Sequence, residues 1–562
     1  MKDNLLRTIK VARGLEPADL LFKNAKVINV FNGEVEDASV AVCDGVIAGI
    51  GDYSNASEVI DLKGKYLVPG LIDGHTHIES SMLDIGQCAR AVVSRGTTGV
   101  ITDLHELTNV VGIDGIKYII KAAKKLPLDL RVMAPCCVPA THLETSGATV
   151  TAKDIARILK KDGVIGLGEM MNFPGVLFGD SEVLGKIKAS EGRVIDGHAP
   201  GLSGRDLNAY ISAGIGSDHE STRFEEAREK LTRGLYIMIR EGSTEKNLAE
   251  LLPLVTDKTY KRCMFVVDDR SCSDLKRDGD IDAVVRKAIV LGLDPVRAIQ
   301  LATINPAEYF GLRQTGALAP GYAANLLVVD NLETFNITEV YFKGKLVAQK
   351  GEALFKAKGR APSHLRKSMN VKPFTAADLC MSFSGSETPV IEIVPGQIVT
   401  RYLKETVKSV PDFDRDILKI VVVERHKATG NIGKGLVKGF GLSRGALASS
   451  VAHDSHNIVC VGASDGDINA AVQAVIEMGG GLAVAANGQV LATLPLPVAG
   501  LMSSVPMDKV IADFESVEAA ARYLGVNLAA PFAVLSFLAL PVIPELKLTD
   551  LGMVDVGAFK LI

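Results

Sequence analysis

Two of the ten histidines in this 562-residue chain stand one residue apart, as His75-Thr76-His77, just after the apolar run Val68-Pro69-Gly70-Leu71-Ile72. In an extended segment residues i and i+2 point to the same side, so both imidazoles reach one metal ion. Neutral imidazole suits zinc, iron, manganese or nickel near neutral pH. A lone His-x-His is equally a pair of half-exposed loop histidines, and the rest of the chain has to decide. Further along, Glu169, His198, His219 and the tandem acids Asp268-Asp269 each follow a short run of β-type residues.

Those runs form a series. Candidate strands fall at 66–72, 97–102, 130–134, 163–168, 194–197, 213–217, 234–239 and 263–267, with helical patterns at 113–125, 152–160, 204–212, 221–233 and 281–291. Alternation of this kind marks parallel βα units, and eight of them over about 200 residues match a (β/α)8 TIM-like barrel. An open doubly wound sheet is the competing fold. It would carry a Gly-rich phosphate turn after an early strand, and none is visible. In a barrel, chemistry sits at the C-terminal ends of several strands. Here His75 and His77 follow the first strand, Glu169 the fourth, His198 the fifth, His219 the sixth and Asp268 the eighth.

On either side of the barrel lie shorter β patterns. Residues 1–65 hold hairpin signals, Asn32-Gly33 and Asp44-Gly45, between alternating apolar residues. Residues 314–355 hold a similar piece, so the two flanks are expected to join as one small β-sandwich around the barrel at 66–313. A Lys/Arg-rich stretch, 356–374, reads as a linker to a separate C-terminal α/β domain at 375–562, with strands at 417–423, 457–461, 481–486 and 489–495 and a helix over 464–478. The Gly-rich stretches Gly479-Gly480-Gly481 and 430–435 lack the P-loop's Lys-Ser/Thr ending and read as structural.

A net charge of −4, well mixed, gives no footprint for nucleic acid. No apolar run is long enough for a bilayer, and the start of the chain lacks a signal-peptide core, so a cytoplasmic protein with no membrane partner is expected. Eight scattered cysteines without Cys-x-x-Cys support neither a disulfide framework nor a zinc knuckle.

Four imidazoles (His75, His77, His198, His219) with Glu169 and Asp268 exceed the needs of one tetrahedral ion. A carboxylate can bridge two cations, and Glu169 is the natural bridge. Two ions roughly 3.5–4 Å apart would share a hydroxide of lowered pKa. Asp268 would take its proton and pass it to the leaving group. Asp269 and Asp218 are candidates for substrate contact. Glu79 is expected in the second shell, orienting an imidazole. His105-Glu106 would bind an extra metal, shape the pocket or, as the simpler reading, form an exposed loop pair. His142 divides between substrate contact and the surface, and Arg240 is expected as an ion-pair partner. Asp294-Pro295 and Asn305-Pro306 read as helix starts with a capping residue before Pro at N1. His453-Asp454-Ser455-His456 reads as a polar loop, or as a segment closing over the active site.

The motif from Pro69 to His77, the split flanking sheet and the strand-end ligands resemble the amidohydrolase superfamily. The segments His77-Ile78-Glu79-Ser80-Ser81, Gly168-Glu169-Met170-Met171-Asn172, Asp196-Gly197-His198-Ala199-Pro200, Ser217-Asp218-His219-Glu220 and Asp268-Asp269-Arg270 are similar, more narrowly, to the bacterial and archaeal adenine deaminase family. Where many binuclear members carry a carboxylated lysine after the fourth strand, this chain has Glu169, as that family does. The resemblance implies hydrolytic deamination of adenine, a small-molecule substrate, to hypoxanthine and ammonia in purine salvage. It further implies a binuclear centre of manganese or iron, with zinc as an alternative, and a homo-oligomer. Against it stand a cyclic amidohydrolase of the dihydropyrimidinase or hydantoinase kind on the same scaffold, and a non-catalytic protein that keeps the fold.

Overall fold

Eight short parallel strands carry the strand-end residues: β1 (Leu71–Thr76), β2 (Thr97–Asp103), β3 (Asp129–Ala134), β4 (Val164–Met170), β5 (Val194–Gly197), β6 (Ser217–Asp218), β7 (Tyr236–Arg240) and β8 (Cys263–Val266). The computed structural model describes residues 2–357, 361–383 and 385–562. Strands β1 to β5 pair in order in one sheet and β6 to β8 in a second. The seams are bonded as well. Gly216 N–H donates to Ile195 O at 2.9 Å between β5 and β6, and Thr76 forms a parallel bridge with Asp268 between β1 and the end of β8. Ile72, Ile101, Met133, Met238, Met264 and Val266 pack together as one buried cluster, as expected of a filled barrel. With both faces covered the strands read as continuous apolar runs rather than alternating ones; all seven residues of β2 are buried.

Boundaries differ from expectation in three places that matter. The first strand, expected at 66–72, is split: Tyr66–Pro69 joins the flanking sheet, and Leu71–Thr76 opens the barrel with His75 inside it. Glu169 lies inside β4 rather than after it. The sixth strand shrinks from 213–217 to Ser217–Asp218 because the turn before it holds Gly214 at φ 100°. At Asp294 the cap is as expected, its carboxylate accepting from Arg297 N–H at 2.9 Å. Asn305 is not a cap. It lies within the helix Ile304–Tyr309, and its amide donates to Tyr260 O at 2.7 Å and Cys263 O at 2.8 Å, tying that helix to the start of β8.

The flanks join in a single nine-stranded sheet. Its order runs Glu352–Ala353, Lys345–Gln349, Ile337–Phe342, Leu326–Val329, Tyr66–Pro69, Ala18–Ile28, Val35–Cys43, Val46–Gly51, with Ala56–Asp61 pairing parallel to Ala18–Ile28. The sheet curls so that Phe22 from one flank meets Tyr341 from the other, ring centroids 4.9 Å apart. Of the expected linker, residues 358–360 lie outside the described residues, and Ser363–Arg366 makes one 3-10 turn that buries Leu365.

C-terminal to this, eight strands form a mostly antiparallel sheet, with Ile417–Val423, Gly481–Ala486 and Gln489–Pro495 at their expected limits. The helix Asp465–Glu477 packs on it, capped by Ser464 accepting from Asp467 N–H at 3.1 Å. This region is docked on the barrel mouth by specific bonds: Thr145 N–H to Asp550 Oδ1 at 2.8 Å, Asn457 Nδ2 to Thr145 O at 2.8 Å, and Ser503 N–H to Met82 O at 2.8 Å. Among the described residues no helix is long and apolar enough to cross a membrane.

Two buried charges in this frame have measurable consequences. Asp218, expected at the substrate, is fully buried and has its oxygens occupied by Ala199 N–H at 3.0 Å, Ser221 N–H at 3.0 Å, Ser221 Oγ at 2.6 Å and Lys230 Nζ at 2.9 Å. It fastens the loops after β5 and β6 instead of facing a ligand. Removing one partner of a buried pair leaves an uncompensated charge, so Lys230→Met is expected to cost about 3–5 kcal/mol. Thermal denaturation reads this, and Lys230→Met combined with Asp218→Asn should recover much of the loss.

Glu144 is buried on the loop after β3, neither oxygen hydrogen-bonded, and burial and Asp454 push its carboxyl up to about 8. Its folded pKa lies above the unfolded 4.5, so the stability it contributes is present below that value and is lost as pH rises through about 8. Glu144→Gln should therefore gain in melting temperature over the parent from pH 5 to pH 8; a constant difference would show that Glu144 ionises freely.

Candidate metal centre

The closing bonds between β1 and β8 put the first ligands in place. Asp268 N–H donates to His75 O at 3.0 Å and Thr76 Oγ1 donates to Asp268 O at 2.9 Å. Asp268 itself is held at φ 58°, a left-handed conformation uncommon for Asp and concentrated at functional sites. This turn brings its Oδ1 to 3.5 Å from His75 Nε2 and 3.2 Å from His77 Nε2. Its Oδ2 accepts from Arg240 Nη1, at the end of β7, at 2.8 Å. Arg240 also pairs with Glu220. Arg240 is thus the ion-pair partner expected of it.

Glu169 is the hub. Its Oε1 lies 3.2 Å from His77 Nε2 and 3.5 Å from His105 Nδ1; its Oε2 lies 2.7 Å from His198 Nδ1 and 3.2 Å from His219 Nε2. His75 stacks on His219 with centroids 4.2 Å apart. Two groups, His75–His77–Glu169 and Glu169–His198–His219, each bring their ligand atoms within 4.8 Å of one another, with Glu169 in both; His75–His219–Asp268 forms a third. The structure therefore brings together His75, His77, Glu169, His198, His219 and Asp268.

The chemistry of the donors fits divalent metal. His77 Nδ1 lies 3.0 Å from the backbone carbonyl of Asp103, which takes that ring proton and leaves a lone pair on Nε2 facing Glu169 and Asp268. His75 is fully buried with neither ring nitrogen hydrogen-bonded, and burial together with His219 lowers its pKa to about 4, so the ring is a neutral base. An orphaned buried imidazole is rare unless something else takes its lone pair. Burial works against charge on Glu169, but His198, His219 and His77 more than offset it and hold the carboxylate ionised.

Several supporting residues differ from the reading above. Glu79 does not orient an imidazole; its Oε1 accepts from Leu107 N–H at 3.0 Å, and the carbonyl of Asp103 does that task for His77. His105 and Glu106 are no exposed pair. Both are buried at the start of the helix His105–Val111, His105 edge-on to His77 at 4.7 Å. His142 is exposed, against Phe559. Asp269 is beside the cluster, bonded by Ser80 Oγ, and burial with the neighbouring Asp268 pushes its carboxyl up to about 7. Glu220, 3.8 Å from His198 and 3.6 Å from His219, had no role from sequence although it directly follows His219. Asp103 had none either: its Oδ2 accepts from Glu169 N–H at 3.0 Å, and only its place at the end of β2 marked it.

The fold and this centre define a metal-dependent hydrolase of the amidohydrolase type, and comparison agrees: the profile of the Amidohydrolase family matches residues 66–347, and that of the adenine deaminase C-terminal domain matches residues 396–560. Over its whole length the chain is 61% identical to the adenine deaminase of Dehalococcoides mccartyi strain 195, covering 100% of this chain and 99% of that one. The corresponding protein of Desulfatibacillum aliphaticivorans is 50% identical, with 99% of each chain covered. The chain belongs to the adenine deaminase family of amidohydrolases.

The hub depends on one small residue. A Cβ on Gly168 would lie 1.9 Å from Asp103 Oδ2 and displace the carboxylate that holds Glu169. Gly168→Ala is expected to weaken divalent-metal binding about 10–100-fold, measured as metal retained against graded chelator, with the far-UV spectrum unchanged. Unaltered affinity would show that Asp103 does not set the position of Glu169.

Proposed function

We propose that this protein hydrolyses adenine to hypoxanthine and ammonia at a pair of divalent cations, manganese or iron. The sharing of Glu169 between two ligand groups carries the chemistry, and full-length identity to adenine deaminases carries the substrate. His75, His77 and Asp268 on one side and His198 and His219 on the other would hold the cations, with Glu169 common to both. When bound, they supply Lewis acidity and lower the pKa of water towards neutrality. The five-part division at 65, 313, 355 and 374 is part of the proposal; the separate sheets of the flanks, the barrel and the C-terminal region support it, with Tyr66–Pro69 pairing in the flanking sheet.

The chain's own groups move the protons. Adding water to adenine C6 releases one proton, and the amine must gain one to leave as ammonia. Asp268 is fitted to carry it, because Arg240 fixes Oδ2 while Oδ1 faces His75 and His77. Asp269, with a carboxyl near 7 and a bond from Ser80, would hydrogen-bond the base in either protonation state. Neutral adenine needs no cationic pocket, and Arg240 is already neutralised by Asp268 and Glu220. The cyclic amidohydrolase reading is not favoured, since the full-length relatives are adenine deaminases.

Protein stripped by chelation should be inactive and regain adenine turnover, one ammonia per hypoxanthine, with two equivalents of manganese or ferrous iron. Asp268→Asn should lower kcat by about 10²–10⁴-fold. Bound metal with intact adenine would refute the substrate.

A further inference from the structure

One cluster lies outside the centre just described. Glu106, His453 and His456 bring their ligand atoms within 4.8 Å of one another where the C-terminal region covers the barrel mouth. The trio does not suit a cation. Ala452 N–H donates to His456 Nδ1 at 3.1 Å, so in the neutral ring the proton is on Nε2, the atom that faces Glu106 Oε2 at 3.9 Å. A ligating imidazole needs the reverse arrangement. His456 is therefore a buried donor beside Glu106.

His453 is different. Its Nδ1 lies 2.9 Å from Glu106 Oε1 and 3.8 Å from Asp454 Oδ1, and one face stacks on Phe537 at 4.8 Å. Burial opposes a charged ring, but Glu106, with Asp269 and Asp454, more than offsets it and pushes its pKa up to about 10. Both ring nitrogens are then donors. Nδ1 is committed to Glu106, whereas Nε2 has no hydrogen-bond partner among the described residues and is not sealed in the core. A continuous path links it to the metal ligands. His105 Nδ1 is 3.5 Å from Glu169, His105 Nε2 is 3.9 Å from Asp454 Oδ1, and Asp454 adjoins His453. His105 and Glu106, neighbours at one helix start, thus face the centre and His453 respectively.

We propose that His453, supplied by the C-terminal region, is a specificity residue whose Nε2–H hydrogen-bonds a ring nitrogen of the purine other than N1, either N3 or N7. The inference rests on the adenine reading. Adenine carries ring nitrogens with lone pairs at N3 and N7 besides N1, and an anchored imidazolium with one spare donor is matched to such an acceptor. Phe537 holds the ring plane fixed, so little freedom is lost on binding. Specificity follows from the cost of leaving the spare donor unpaired with a base that lacks the acceptor.

The test compares adenine with 3-deazaadenine and 7-deazaadenine in the metal-loaded enzyme, using the parent, His453→Asn and His453→Gln. One analogue should lose about 10- to 100-fold in kcat/KM with the parent. His453→Asn should lose a similar factor on adenine but nothing further on that analogue, because the two changes remove one bond. Losses that simply add on both analogues, or unchanged kcat/KM for adenine in a variant of full metal content, would overturn the proposal. If neither analogue is disfavoured by the parent, it falls even should both variants misfold. A parent that leaves adenine intact defeats the reaction assignment itself, and this inference with it.

Discussion

A buried carboxylate with four imidazoles against it, three of them buried as well, is the constraint from which the rest of this structure follows. Burying Glu169 alone would be prohibitive, because an ionised carboxylate away from water must be paired. His77, His105, His198 and His219 pair it, and they come from four different strand ends or helix starts. No local structure brings such residues together; a closed ring of parallel strands does. The ring therefore has to close tightly enough to hold both oxygens within reach of two imidazoles each.

Closure and chemistry meet in Asp268. Its backbone completes the ring by bonding to His75 and Thr76, and its side chain enters the centre because that backbone is left-handed. A residue in this conformation persists only where its surroundings over-determine it. Arg240 and Glu220 do so, with the guanidinium held between two acids that also face the imidazoles. The left-handed residue is thus the one proposed to carry the proton, and its carboxylate faces His75 and His77.

What was legible in the sequence follows from what is periodic or terminal. The strands of the barrel are apolar runs ended by polar residues, so His75, His77, Glu169, His198, His219 and Asp268 stood out as strand-end polar groups. The family resemblance added the reaction. Residues acting through tertiary contacts were not legible. Asp218 has the type and position of a substrate residue, yet a lysine twelve residues on along the helix Phe224–Thr232 claims it. Asp103 acts through one carbonyl and one side-chain oxygen, which no spacing rule encodes. His105 and Glu106 look like loop polar residues until a region more than 340 residues later covers them.

That covering region is built to hold one short segment still. Arg425 is fully buried, with its guanidinium on the carbonyls of His456 and Ala499, the latter at 3.0 Å; burial lowers its pKa to about 9. Lys547 is likewise buried, its ammonium on the carbonyls of Phe537 and Ile398, both at 2.9 Å, and burial lowers its pKa to about 7. Among the described residues neither cation reaches a carboxylate; both grip backbone, one at the end of the His453–His456 segment and one at the phenylalanine stacked on His453. Cations of this depth, bonded to carbonyls and, for Arg425, the Ser368 hydroxyl, are unfavourable for stability compared with apolar side chains. Their placement makes sense when the backbone they fix has to present a side chain at a set position. The barrel supplies the clustered imidazoles and carboxylates proposed to hold the metals and move the protons, and the C-terminal region packs across from them.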